Sequence, residues 1–190
     1  GFLTKMDTDF VQAANTEHFG GVGLIVEPYQ MLMDRGGYLL MVGLVEGEGT
    51  LNTKSVTQNQ STFLVAYDVN LTPQRTVVYT ELNEYVGAVD AATDEENNIY
   101  VAGYTLSALD DNTFSGMKDA FVIKFDSFYD KTWVSQVGQS TGHTDGLAIS
   151  VDASGNSYVV GDTSAVLSGS AATGTKDYFV AKFNALGVLQ

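Results

Sequence analysis

The chain has 190 residues, no cysteine, and 23 Asp and Glu against 9 Lys and Arg, for a formal charge of −14. That balance excludes a surface built to track phosphates, so neither nucleic acid nor an anionic membrane is an expected partner. The lack of cysteine excludes disulfide frameworks and thiolate metal sites.

Hydrophobic residues make up 44% of the chain, which argues for an ordered core. Gly is abundant at 20 against 2 Pro, which predicts many tight turns, and Tyr, Phe, Val and Thr favour strands. No apolar run reaches the roughly 20 residues of a membrane-spanning helix, so no membrane insertion is expected. No window of about 11 residues carries a helical period.

In chain order, Gly1 to Met6 predicts a strand and Val11 to Phe19 another. The apolar segment Val22 to Pro28 reads as an extended connector. Gln30 to Met33 and Tyr38 to Val45 follow as strands, then a polar loop from Glu46 to Ser61. Strands are predicted next at Thr62 to Tyr67 and Thr76 to Leu82.

The pattern then sharpens. Gly87 to Thr93 is a strand, Asp94 to Asn98 a turn, Ile99 to Thr105 a strand and Leu106 to Asp119 a loop. Ala120 to Phe125 and Lys131 to Gly138 are strands. The same series recurs as Leu147 to Val151, the turn Asp152 to Asn156, Ser157 to Asp162, the loop Thr163 to Lys176, and Tyr178 to Phe183. Val188 opens one more strand.

The recurrence is a repeat with a fixed offset. Asp94 and Asp152, Tyr100 and Tyr158, Gly103 and Gly161, and Phe121 and Phe179 each stand 58 residues apart. TFLVAYD at Thr62 matches AFVIKFD at Ala120, and GFLTKMD at Gly1 matches both. The units run approximately over 1–61, 62–119 and 120–177, with a fourth starting at 178–190. All lie in one domain, and the start in mid-unit suggests a processed product or part of a longer chain.

Four short strands per unit, with apolar residues at consecutive positions, predict an all-β protein: a β-propeller array of four-stranded antiparallel blades, three or more, packed face to face. The recurring Gly43, Gly103 and Gly161 read as points where a β-carbon would collide with the neighbouring blade.

DGLAISVDASGNSYVVGDTS, KDYFVAKFNALG and the preceding TWVSQVG resemble the SBBP-type (seven-bladed β-propeller) repeat family. The resemblance covers Tyr85 to Gln190 well and Gly1 to Glu84 weakly. It implies a propeller fold and a secreted or surface-attached module, and it brings no catalytic set. The first unit departs from the pattern, with Gly36-Gly37 at the turn and Ala66 where Lys124 and Lys182 stand.

Candidate sites are few. Ser140, His143, Thr144 and Asp145 place Ser, His and Asp close in sequence, but a triad needs convergence in space. No catalytic residue and no resident cofactor are expected. Asp94 and Glu96 in one turn, with Asp110 and Asn112 in a loop, could offer oxygens to calcium, though not at EF-hand spacing.

Lys5, Lys124 and Lys182 recur at one strand position, and Asp119 and Asp177 precede the same strands, as ion pairs or solvated strand ends. Trp133 could stack on a sugar but reads better as blade packing. Asn59 and Asn70 lie in glycosylation sequons, with glycans as the implied partner.

The leading expectation is a non-enzymatic extracellular or cell-surface module, structural or adhesive, within an appendage or filament. Its partners would be other copies of itself or further blades. The alternatives are a propeller that binds carbohydrate or calcium, and a hydrolase or lyase using the propeller's central face.

Overall fold

A computed structural model of the protein describes residues 2–6, 8–9, 12–57, 60–79, 85–167 and 174–190, with the backbone alone for 12–15. All its regular elements are strands. Among the described residues, β1 (Phe2–Met6) pairs only with β2 (Gln12–His18). β3 (Leu24–Met33), β4 (Leu39–Gly47), β7 (Ser61–Tyr67) and β8 (Pro73–Tyr79) make one antiparallel sheet, the first blade.

β5 (Gly49–Leu51) and β6 (Lys54–Val56) form a small hairpin between β4 and β7. The second blade is β9 (Val86–Thr93), β10 (Ile99–Thr105), β11 (Asp119–Phe125) and β12 (Lys131–Val137). The third has β13 (Thr144–Val151), β14 (Ser157–Thr163) and β15 (Asp177–Phe183). A fourth strand is only begun there, by a single bridge from Leu189 to Phe183.

The side chains explain why the blades stack. Successive residues of a strand point to opposite faces. On β10, Ile99 and Val101 pack toward the first blade against Leu40, Val42 and Leu64, while Tyr100 and Ala102 pack toward the third against Val159 and Phe183. On β11, Phe121 and Ile123 take the first direction and Val122 the second. A blade with neighbours on both sides is therefore buried at nearly every strand position.

A further core joins Met41, Phe63, Val65 and Tyr67 of the first blade to Leu3 and Phe19. Each wholly buried Leu, Ile, Val or Phe contributes roughly 1.5–3 kcal/mol over its exposed state.

Three expectations are corrected. Val22 to Pro28 is not a connector, since from Leu24 onward it is the first half of the ten-residue β3. Pro28 sits opposite Gly43 beside a bulge, and among the described residues β3 pairs on one side only, where a missing N–H costs least. The loop from Glu46 to Ser61 is not wholly irregular. Its hairpin carries Leu51 and Val56 into the core beside Phe63, a long-range contact that local polarity conceals.

The third correction concerns the recurring glycines. A β-carbon on Gly103 would run into the Gly87 carbonyl oxygen, and one on Gly161 into that of Asp145. Both obstacles lie on the first strand of the same blade, beside a bulge in the pairing. The close approach between blades falls elsewhere: a β-carbon on Gly146 would stand 2.7 Å from the Gly103 carbonyl oxygen.

Gly103→Ala should accordingly cost about 1–3 kcal/mol or more, the range for overpacking. Gly174→Ala, whose β-carbon would meet only ordinary contacts from 3.4 Å outward, should be close to neutral. Denaturant melts of the two variants check this, and equal midpoints would refute the bulge account.

Candidate functional site

The titratable groups are organised first around the hairpin turns. At the turn between β9 and β10, the Asp94 carboxylate accepts the Glu96 N–H (3.1 Å), the Asn98 N–H (2.8 Å), the Asn98 amide (2.7 Å) and the Tyr100 hydroxyl (3.0 Å). Asp152 repeats this with the Ser154 N–H (2.9 Å), the Asn156 N–H (3.0 Å), the Asn156 amide (2.8 Å) and the Tyr158 hydroxyl (2.9 Å). These are Asx turns, in which the side chain stands in for a backbone acceptor.

Lys124 stands 3.9 Å from Asp94 and 4.9 Å from the centre of the Tyr100 ring, and Lys182 stands 5.5 Å from that of Tyr158. In the first blade the set becomes Leu40 and Ala66, both buried. Lys124 and Lys182 thus cover tyrosine rings on their own blades.

The calcium candidates do not converge. Asp94 spends its oxygens inside its own turn, where Glu96 contributes a backbone N–H. Asp110 pairs with Lys131 and accepts the Tyr79 hydroxyl at 3.2 Å. The Asn112 amide donates to the carbonyls of Leu109 (2.9 Å) and Val134 (3.1 Å). Among the described residues, no three Asp, Glu or His side chains gather to hold an ion.

The Ser–His–Asp stretch disperses in a similar way. Asp145 gives its carboxylate to Lys118 at 2.8 Å, an ion pair between the second and third blades. The His143 N–H donates to the Ser164 hydroxyl at 2.9 Å. Ser140 lies exposed in the preceding bend.

Trp133 is half-buried, donates to the Ala185 carbonyl at 3.2 Å and meets Tyr100 edge to face at 6.0 Å, so it packs two blades together. Asn70 lies exposed on the turn after β7, and Asn59 falls outside the described residues.

Asp119 was read as a solvated or ion-paired strand end. It is instead fully buried, accepting the N–H groups of Ser115 (3.0 Å) and Gly116 (3.1 Å) and the Gln136 amide (3.4 Å). The Gln136 amide also donates to the Ser107 carbonyl at 3.0 Å, and its oxygen accepts the Leu109 N–H at 2.6 Å. Gln136 thereby fastens the loop between β10 and β11 to the fourth strand, a role with no local signal in the sequence.

The third blade presents the largest irregularity. In the second blade Ala102, Ala120 and Val122 are 0%, 1% and 0% exposed. Their repeat counterparts Val160, Tyr178 and Val180 are 43%, 91% and 71% exposed. Leu147 joins them to make an apolar patch. Beside it, along the edge of β15 that among the described residues meets only the bridge from Leu189, lies a cavity of about 670 Å³ lined partly by Gln136, Gln139, Leu167, Asp177 and Phe179.

Residues 132–167 match the family model of the SBBP β-propeller repeat. The match spans the fourth strand of one blade and the first two strands of the next. No curated protein matches the chain. The SBBP repeat is thus phased across the junction of two blades, and Trp133, Lys118 and Asp145 bind that same junction non-covalently.

Two titrations follow from the turns. Hydrogen bonds from the Asn156 side chain and N–H, joined by Tyr158 and the Ser154 N–H, hold the Asp152 carboxyl down from 3.8 to about 2. A carboxyl depressed by folding stabilises fully above its unfolded value, and that contribution is lost as pH falls through the folded one. The melting-temperature gap between wild type and Asp152→Ala should therefore be widest above about pH 4 and should close toward about pH 2. A gap independent of pH would rule out the carboxylate as its source.

Burial first, then the bond to Asp94, pushes the Tyr100 phenol up. Burial and the charge of Asp34 do the same to Tyr129. A group raised by folding stabilises below its unfolded value, and that contribution is lost as pH rises through the folded one. In an ultraviolet absorbance titration both phenols should stay protonated beyond pH 10 for as long as the protein stays folded.

Proposed function

We propose that the protein is a non-enzymatic structural or adhesive β-propeller module of the cell surface or extracellular space, acting within an appendage or filament. It works by placing the end face of its third blade against another copy of itself. The observation that carries this reading is the patch of Leu147, Val160, Tyr178 and Val180, exposed where the repeat buries the equivalent positions of the second blade. Apolar surface of this kind favours association.

Two further features support the reading. The polar groups described above are engaged in turns, loops and ion pairs that hold blades together. The other end of the array also shows apolar side chains, with Tyr29, Met31 and Met33 of β3 exposed. The position of Met31 corresponds to Ile149, which is buried against the preceding blade. A face that looks backward and a face that looks forward on one chain make a head-to-tail contact, which closes into a ring or grows as a filament.

Light scattering on the 190-residue chain across the micromolar range tests this. The mass should rise with concentration, and the double variant Tyr178→Lys, Val180→Lys should remain monomeric with its fold intact by circular dichroism. A wild-type chain that stays a stable monomer throughout would overturn the proposal.

A further inference from the structure

The three blades share one repeat, yet the two junctions between them are built with opposite shapes. At the junction of the second and third blades the bulk comes from the earlier blade. The Trp133 indole donates to the Ala185 carbonyl at 3.2 Å, the Ser135 hydroxyl to the Gly187 carbonyl at 2.5 Å, and the Tyr100 hydroxyl to the Gly155 carbonyl at 3.3 Å. The later blade answers with glycine. A β-carbon on Gly187 would stand 2.7 Å from the Trp133 ring, and one on Gly155 would stand 3.3 Å from the Tyr100 hydroxyl.

At the junction of the first and second blades the bulk comes from the later blade. There Tyr129 holds the turn position of Gly187, and Asn97 that of Gly155. Both have a left-handed backbone, with φ of 70° and 65°, a conformation that is unfavourable for a side chain as large as tyrosine and free for glycine. What the side chains reach accounts for it. The Tyr129 hydroxyl and the Asn97 amide donate to the buried Asp34 carboxylate at 3.4 and 3.3 Å, and the Asn97 oxygen accepts the Arg35 N–H at 3.0 Å. The Tyr129 ring joins the core that holds Leu40 and Val77. By strand register, Leu40, Arg75 and Val77 stand where the second blade has Tyr100, Trp133 and Ser135. The earlier blade is here the recessed one, with no aromatic ring at any of the three positions.

We propose that these positions are a fitting code that decides which blade stacks on which. The second blade projects a ring from each face, Tyr129 backward and Trp133 forward. Behind it fits a blade without a ring at the Trp133 position, and ahead of it one with glycine at the Tyr129 position. Two second blades, from one chain or from two copies, would set Trp133 against Tyr129 and do not stack. Repeats so alike in text are thus told apart by a clash against the wrong neighbour as well as by contact with the right one. Exchange of blades between copies is left open only in register. The inference rests on the two junctions inside the chain and is independent of the end-face association proposed above.

The test is a change of sign. Arg75→Trp gives the first blade the ring of the second and so imitates the refused stack. In the wild-type chain it should lower the melting temperature by several degrees, through overpacking against Tyr129. Tyr129→Gly should lower it as well, since the bonds to Asp34 and the ring's packing are lost. In the Tyr129→Gly chain the new tryptophan meets glycine, as Trp133 meets Gly187, and Arg75→Trp should there raise the melting temperature. Where Tyr129→Gly fails to fold, Tyr129→Asn, which tolerates the left-handed turn, takes its place. Effects of Arg75→Trp that are equal in the two backgrounds would overturn the proposal.

The other junction supplies a second measurement. Gly187→Ala should lower the melting temperature of the wild-type chain, and by clearly less in a chain carrying Trp133→Val, where only the cost of the left-handed backbone remains. Equal losses in the two chains would mean that the ring does not read the glycine, and the code would fail.

Discussion

A blade of this protein cannot bury its own side chains. Its strands point residues alternately to two faces, both apolar, and only another blade is flat and broad enough to cover each one. The second blade, covered on both sides, is buried along β10 and β11 almost without interruption. The third, covered on one side, alternates between buried and exposed along β14 and β15 with much the same residue types. Stability is consequently a property of neighbouring pairs, as in other repeat arrays.

Close stacking sets conditions on the backbone. Gly103 and Gly161 admit the carbonyl of a bulged first strand, and that bulge brings Gly146 against Gly103 of the preceding blade. Hairpins must then reverse direction tightly, and the turn N–H groups need acceptors. Asp94 and Asp152 meet both needs, each holding two backbone N–H groups of its turn and a tyrosine from the following strand. The Asp94 carboxylate that suggested calcium is in this way consumed by the scaffold. Asp119 and Gln136 do the same for a loop.

The repeat that is visible in the text and the blade that is visible in space are out of phase. The SBBP segment runs from the fourth strand of one blade into the second strand of the next. The matched segment therefore contains a junction, and the side chains with partners across it, Trp133 and Asp145 among them, lie in or beside it.

The sequence by itself determined the strand content, the repeat of 58 and the turns. Strand alternation, Asp–Gly and Asp–Asn turn chemistry and a fixed offset are all local or periodic properties. It also carried the recurrent Asp119 and Asp177, but not their partners. Only the tertiary structure decided that Val22 to Pro28 enters a long first strand, that Leu51 and Val56 plug a core, and that the repeated glycines meet their own blade. It alone showed that Gln136 closes a loop and that Tyr178 and Val180 lie bare while Ala120 and Val122 do not. The reason is the same in each case. These facts depend on which surface lies opposite a residue, and a side chain's own identity does not state whether the neighbouring blade is there to cover it.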